Sequence, residues 1–287
     1  MRIGFAAIPY NKKLLPVTSK KSTAQTMARL NAVAHYLNKI NIDFYRIPAN
    51  FSPHENLDDV EDARDEIRVT GDLFRNFDIR TTFHVTYYCI LNSPKKEVYA
   101  KSVDELKCMS LYNKYSGGGN HIELHAGGAY GDRDSSIDRF IDNALSLDDD
   151  VFKMLRLENE ELAGKIGTVS ELERINRETG IPLLFDVAHY RVNPLEPDVP
   201  ERAIVETFLD TWKGASTFPV LHYSTTAPDE GTHLPVNPCG FWNYVDSLYG
   251  LGFDVMLETK EKELDVIKVK QFREAYPPSS GSMGQCL

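Results

Sequence analysis

Short apolar runs rich in Ile, Val, Leu and Phe recur along the chain, each followed by a stretch whose apolar residues fall three and four apart. The runs at 2–8, 43–47, 80–84, 121–126, 154–158, 182–186, 218–222 and 253–258 have the length and β-branched content of strands. Their starts lie 28 to 41 residues apart, which suits a strand–helix unit repeated eight times. Between the first two, Met27, Leu30, Val33, Ala34 and Leu37 mark one face of an amphipathic helix over 22–40. Ser22-x-x-Gln25, Ser102-x-x-Glu105 and Thr168-x-x-Glu171 each read as a capping box, and Gly180 as the stop of a helix over 168–179. No low-complexity linker or change of composition interrupts the series. The pattern predicts one (β/α)8 barrel over residues 1–276, with a frayed tail at 277–287.

What ends each predicted strand adds chemistry. The third to the eighth finish in His84, His125, Glu158, Asp186, His222 and Glu258. In a barrel these six edges converge on the C-terminal face, where barrel active sites lie. His189 and His233 follow in the adjoining loops. One strand-end histidine is usually a structural hydrogen-bonding residue, and one strand-end carboxylate can cap the next helix. Six in register are a different matter, because clustered carboxylates repel one another without a cation among them. Imidazole and carboxylate together suit Mn, Zn or Fe better than all-oxygen ions. Eight such groups are enough for two or three ions.

Composition bounds the rest. At 287 residues, 42% hydrophobic and 26% charged, the chain is an ordinary soluble globular protein, long enough for a barrel. Its net charge of −10 argues against a partner held by a global basic surface, though not against a local patch or bound cations. No segment approaches the ~20 apolar residues of a membrane helix. The first residues lack a signal-peptide layout. Cys89, Cys108, Cys239 and Cys286 show no framework spacing, so four reduced thiols in a cytosolic monomer are expected.

Beyond these patterns, the sequence resembles the UV damage endonucleases, relatives of the endonuclease IV type of abasic-site nuclease. The likeness is carried by RIGF at the start, FYRIPANFSPHE (44–55), His84 with LNSPKKEV (91–98) and HIELHAGGAYGDRD (121–134). It continues through RLENEE (156–161), GIPLLFDVAHYRVN (180–193), LHYS (221–224) and DVMLETKEKE (254–263). The resemblance implies a barrel holding two or three divalent ions, commonly Mn2+, that nicks damaged double-stranded DNA directly 5′ to a lesion. It further implies that Glu158 bridges two ions, that His84 and His125 complete one site, and that Asp186, His222 and Glu258 complete the second. His189 and His233 fall at the family's third site. Glu158 and Lys260 are the catalytic candidates.

Two departures from the family pattern stand out. Where the family has a ligating, carboxylated lysine two residues before the seventh-strand histidine, this chain has Val220. The family's Gln-Tyr pair, which probes the duplex, is replaced by Tyr87-Tyr88. Either tyrosine could serve as a stacking wedge or pack beneath its loop. Arg46, Asn50, His54 and Lys260 are candidates for phosphate contact or for support of the ligands. Arg191, with Lys12, Lys13, Lys20, Lys21, Lys95 and Lys96, could add attraction for phosphates. The rival readings are a xylose-isomerase-like sugar isomerase or epimerase, and a non-catalytic, metal-dependent DNA-binding module.

Overall fold

A computed structural model of the chain describes residues 1–277 apart from 7, 12–13, 15–21, 52–55, 194, 197 and 228–230. The element order is β1 (Ile3–Ala6), α1 (Thr23–Lys39), β2 (Phe44–Ile47), α2 (Leu57–Asp62), α3 (Arg64–Asn76), β3 (Arg80–His84), α4 (Lys96–Tyr115) and β4 (Ile122–His125). There follow α5 (Arg133–Leu145), α6 (Asp149–Phe152), β5 (Leu155–Glu158), α7 (Val169–Thr179), β6 (Leu183–Asp186), α8 (Val187–Val192), α9 (Glu201–Asp210) and β7 (Val220–Tyr223). A hairpin, β8 (Thr225–Ala227) with β9 (Gly231–Leu234), precedes α10 (Pro238–Ser247), β10 (Asp254–Leu257) and α11 (Glu263–Ala275). Eight parallel strands close a barrel in the order β1-β10-β7-β6-β5-β4-β3-β2, the (β/α)8 fold. All eight expected strands are present.

Successive strand residues face opposite sides, and the sequence uses that alternation. Phe5, Tyr45, Phe83, Leu124, Leu157, Phe185, Leu221 and Val255 belong to the large core that also contains the helices' apolar residues. Phe44, Leu184, Val220 and Met256 form a separate cluster closed by Trp212. That cluster is an apolar plug inside the barrel, and the polar residues two positions further along the strands lie above it. Gly4 is obligatory beside the plug, because a Cβ there would stand 2.4 Å from the Phe44 carbonyl oxygen.

The helix signals are mostly as expected. Ser22 Oγ accepts from the Gln25 amide at the start of α1, and Met27, Leu30, Val33, Ala34 and Leu37 are fully buried. Glu171 accepts from the Thr168 amide at 3.0 Å, and Gly180 ends α7 at φ 77°. The Ser102–Glu105 capping box is corrected: α4 starts at Lys96, and both residues lie inside it, turned to another task described below. Of the four expected thiols, Cys89 and Cys108 are buried thiols, whereas Cys239 is disulfide-bonded. Cys286 and the tail from residue 278 lie outside the described residues. No helix among the described residues is long and apolar enough to cross a membrane.

Candidate metal centre at the barrel mouth

Inside the barrel, Glu123 and His125 share the inner face of β4, Arg156 and Glu158 that of β5, and Val220 and His222 that of β7. The lower partners of these pairs fill the barrel and the upper ones reach its mouth. Ligand-capable atoms of His84, His125 and Glu158 all lie within 4.8 Å of one another, and so do those of Glu158, Asp186, His222 and Glu258. Glu158, at the end of β5, is common to both groups.

Hydrogen bonds fix how the imidazoles point. Nδ1 lies 2.9 Å from the Val85 carbonyl oxygen in His84, 3.0 Å from that of Asn159 in His189, and 3.0 Å from that of Glu258 in His233. A carbonyl oxygen only accepts, so each Nδ1 carries a proton and Nε2 is the nitrogen left to serve as a ligand. His222 uses the opposite nitrogen: Nδ1 stands 3.1 Å from Glu158 and 3.0 Å from Glu258. Its Nε2 is backed by Glu123 at 3.3 Å. Glu123 is fully buried and also meets His121 at 3.0 Å and Arg46 at 3.4 Å.

The carboxylates are crowded in a way that a cation would relieve. Burial favours the neutral form of Glu158, but His222 and His125 outweigh it and hold the carboxyl well below the usual range. Burial likewise opposes ionisation of Glu258, and Arg46 with His222 overcomes it. Asp186 goes the other way: burial, with Glu158 and Glu258 nearby, raises it. Burial lowers His125 to about 4, while in His189 the same effect is overridden by Asp186, Glu158 and Glu258, giving about 9. Asp186 Oδ1 accepts the His189 amide at 2.8 Å, but Oδ2 is buried with no hydrogen-bond partner among the described residues. A bare carboxylate oxygen facing two further carboxylates and an imidazole is what a divalent ion satisfies, so the donor set fits a metal.

His189 and His233 extend the cluster, with ring centroids 5.9 Å apart. His189 lies on α8 and His233 on the hairpin, neither in an open loop, and His233 holds a left-handed φ of 62°. Val220 is buried in the apolar plug and offers no ligand.

A cleft of about 420 Å3 opens over these groups, lined by Arg46, His84, Tyr87, His125, Tyr130, Glu158, Lys165, His189, His233 and Glu258 among others. Tyr87, which lines it, is 76% exposed and its neighbour Tyr88 is 84% exposed, so neither packs beneath the loop. Arg46 is turned inward onto Glu258 and Glu123, the supporting placement of its two expected ones. Lys260 is exposed just past β10, its amide donating to the His233 carbonyl at 3.3 Å. Asn50 is exposed in the single turn Ala49–Phe51. Arg191 forks onto Glu201 at 3.0 and 3.1 Å and does not line the cleft. His54, Lys12, Lys13, Lys20 and Lys21 lie outside the described residues.

Glu123 and Asn159 were not singled out from the sequence, and Ser102 and Glu105 were read there only as a capping box. Glu123 backs His222, as above. Asn159 grips the Asp186 backbone from both sides, accepting its amide at 2.7 Å and donating to its carbonyl at 2.9 Å. Glu105 accepts from the Thr86 amide and, at 2.7 Å, from its hydroxyl; Ser102 Oγ accepts the Ile90 amide at 2.7 Å. Helix α4 thus holds both ends of the tyrosine loop. The alternation His121-Ile122-Glu123-Leu124-His125 was the available signal for Glu123, since it puts three polar groups on one strand face.

The sequence profile described as UV-endonuclease UvdE matches residues 11–280. A curated relative named UV DNA damage endonuclease, from Bacillus velezensis, is 29% identical over 82% of this chain and 76% of its own length. The crystal structure of SacUVDE superimposes with a TM-score of 0.85 at 23% identity, covering 96% of this chain and 98% of that one. The sugar enzyme 3-keto-D-glucoside 4-epimerase from E. coli shares the barrel less closely, with a TM-score of 0.59 at 12% identity over 96% of this chain and 99% of its own.

Proposed function

Because this chain belongs to the UV-endonuclease UvdE family, we propose that it is a metal-dependent DNA repair endonuclease that nicks damaged duplex immediately 5′ to the lesion, leaving a 3′-hydroxyl and a 5′-phosphate. The observation that carries the reading is the pair of ligand groups sharing Glu158, set at the floor of a cleft with two exposed tyrosines on its rim. His84, His125 and Glu158 would hold one ion, and Glu158, Asp186, His222 and Glu258 a second. Divalent ions bound there, Mn2+ with Zn2+ or Fe2+ able to use the same ligands, would make water acidic enough to attack phosphorus and neutralise the departing 3′ oxygen. With Val220 in place of a ligand, His189 and His233 form a third site that needs a phosphate or water oxygen to complete it.

The chain's own residues do the positioning. Glu123 and Arg46 fix His222 and Glu258, Asn159 fixes Asp186, and the carboxylates serve as ligands rather than as an acid/base pair. The tyrosine loop supplies aromatic surface against which bases can stack when a damaged pair opens. Lys260, exposed just past β10, would meet the phosphate that flanks the cut. An open rim of exposed aromatics suits a duplex better than a small sugar. Two complete ligand groups set the reading apart from a module that only binds.

End-labelled duplexes, each with one lesion, incubated with Mn2+ and run on a sequencing gel test the proposal. A single cut directly 5′ to at least one lesion, abolished by EDTA, is expected. Lesion duplexes left uncut in Mn2+, Zn2+ and Fe2+ alike, or a sugar substrate turned over instead, would overturn it.

A further inference from the structure

The two tyrosines of the rim are not equivalent. Lys165 Nζ sits 4.6 Å from the centroid of the Tyr87 ring and 3.4 Å from its hydroxyl oxygen. Glu160, itself buried, anchors the same ammonium at 2.9 Å. The loop that carries Lys165 is pinned to the one after β4: Lys165 bridges to Gly128, and the Ile166 amide donates to the Gly127 carbonyl at 2.8 Å. Tyr88, by contrast, is 84% exposed and makes no ring or cation contact among the described residues. One tyrosine is therefore tethered along the cleft wall and the other projects from the rim.

We propose that Tyr87 and Lys165 form a fixed stacking platform for a displaced base, leaving Tyr88 as the residue that enters the duplex. The inference rests on the proposed action on damaged DNA and adds what the cleft selects. A cation on one face of a ring leaves the other face open for a base, and orders the ring beforehand so that little rotamer freedom is lost on stacking. Lys165 and Tyr87 both line the cleft above the ligand groups, so a base on the platform lies beside the strand to be cut. A platform of this kind serves lesions that still carry bases. It does nothing for an abasic site. Tyr87 and Lys165 are thus specificity-determining residues, and an aromatic ring where the family has an amide shifts preference toward base-bearing lesions.

The test compares the wild type with Lys165→Met, Tyr87→Ala, Tyr87→Phe and the Lys165→Met/Tyr87→Ala pair. Duplexes of one sequence carry either a pyrimidine photodimer or an abasic site, with 2-aminopurine beside the lesion to report stacking. Binding is read as quenching in EDTA, and cutting in Mn2+. Lys165→Met and Tyr87→Ala should each weaken photodimer binding roughly tenfold or more. Abasic binding should stay within about twofold, the double variant should be no worse than Tyr87→Ala, and Tyr87→Phe should keep most of the affinity. Equal losses on both duplexes would make Lys165 a general phosphate contact, and no loss on either would make the pair incidental; each overturns the platform. Quenching changes without any nick in the wild type would keep the platform and sink the proposed activity instead.

Discussion

Glu123 belongs to neither ligand group, yet it governs how well His222 can serve the second. A carboxylate behind a ligating imidazole fixes its tautomer and makes it a stronger donor, and such partners are worth about 10–100-fold in metal affinity. Here Glu123 lies 3.3 Å behind His222, gripped by His121 and Arg46 in a fully buried position. Glu123→Gln keeps the shape and removes the charge. Metal affinity, measured by calorimetric titration, should fall by about 10–100-fold, with nicking restored as metal is raised. A variant that binds metal normally but cannot cut would show that Glu123 acts on the substrate instead. At this scale the ligands themselves were legible, because a His or carboxylate at the end of a strand is conspicuous. Their supports were less so: Glu123 sits mid-strand, and Arg46 could equally have been an arm toward phosphate.

Between elements, the most instructive misreading is Ser102-x-x-Glu105, whose spacing imitates a helix start. The two side chains lie in the second and third turns of α4 and satisfy amides of the tyrosine loop, so tertiary contacts took over groups that local pattern assigned to a cap. Glu105→Ala would leave the half-buried Thr86 amide and hydroxyl without this acceptor, a loss of about 1 kcal/mol. The denaturation midpoint should drop accordingly, and KM for lesion duplex should rise more than kcat falls, because the rim loosens while the metal ligands stay. Glu105→Gln, which can still accept, should recover much of both. Equal effects on KM and kcat would argue against the anchor. The strands were legible because eight apolar runs in register allow few other folds; the β8–β9 hairpin was not, being short and polar and set between two barrel strands. A second element-level consequence concerns Glu196, which accepts the Val169 amide at the start of α7 at 3.1 Å. Burial raises its carboxyl from 4.5 to about 7, with Glu171 adding to the effect. Between those values the folded chain holds a proton that the unfolded chain has released. Stability therefore falls as pH rises through that window. Glu196→Gln should melt higher than the wild type at pH 8, and the gap should close at pH 5. Parallel melting profiles across that range would refute the assignment.

For the molecule as a whole, the arrangement concentrates Glu123, Glu158, Asp186 and Glu258 inside one end of a barrel whose net charge is already −10. Arg46 and His222 compensate part of this, and Asp186 is left with its pKa raised and one oxygen unpartnered. Such a mouth is less stable empty than filled, so metal should act as a ligand of the native state alone. At a free concentration 100 times its Kd an ion adds about 2.7 kcal/mol. For a chain of this size each kcal/mol moves Tm by roughly 2–4 °C, so saturating Mn2+ should raise the melting temperature by roughly 5–10 °C over the EDTA-treated protein. Glu158→Gln removes a ligand from both groups at once. It should lose most of that shift together with nicking, while keeping much of its binding to lesion duplex, because the rim loop and Lys165 are untouched. Tyr88→Ala, placed on the rim, should do the reverse and keep the full metal-induced shift. If instead Mn2+ moves neither protein's melting point, the carboxylates are balanced from within by protonated Asp186 and the histidines, and the barrel mouth is a structural charge cluster rather than a centre for cutting phosphodiesters.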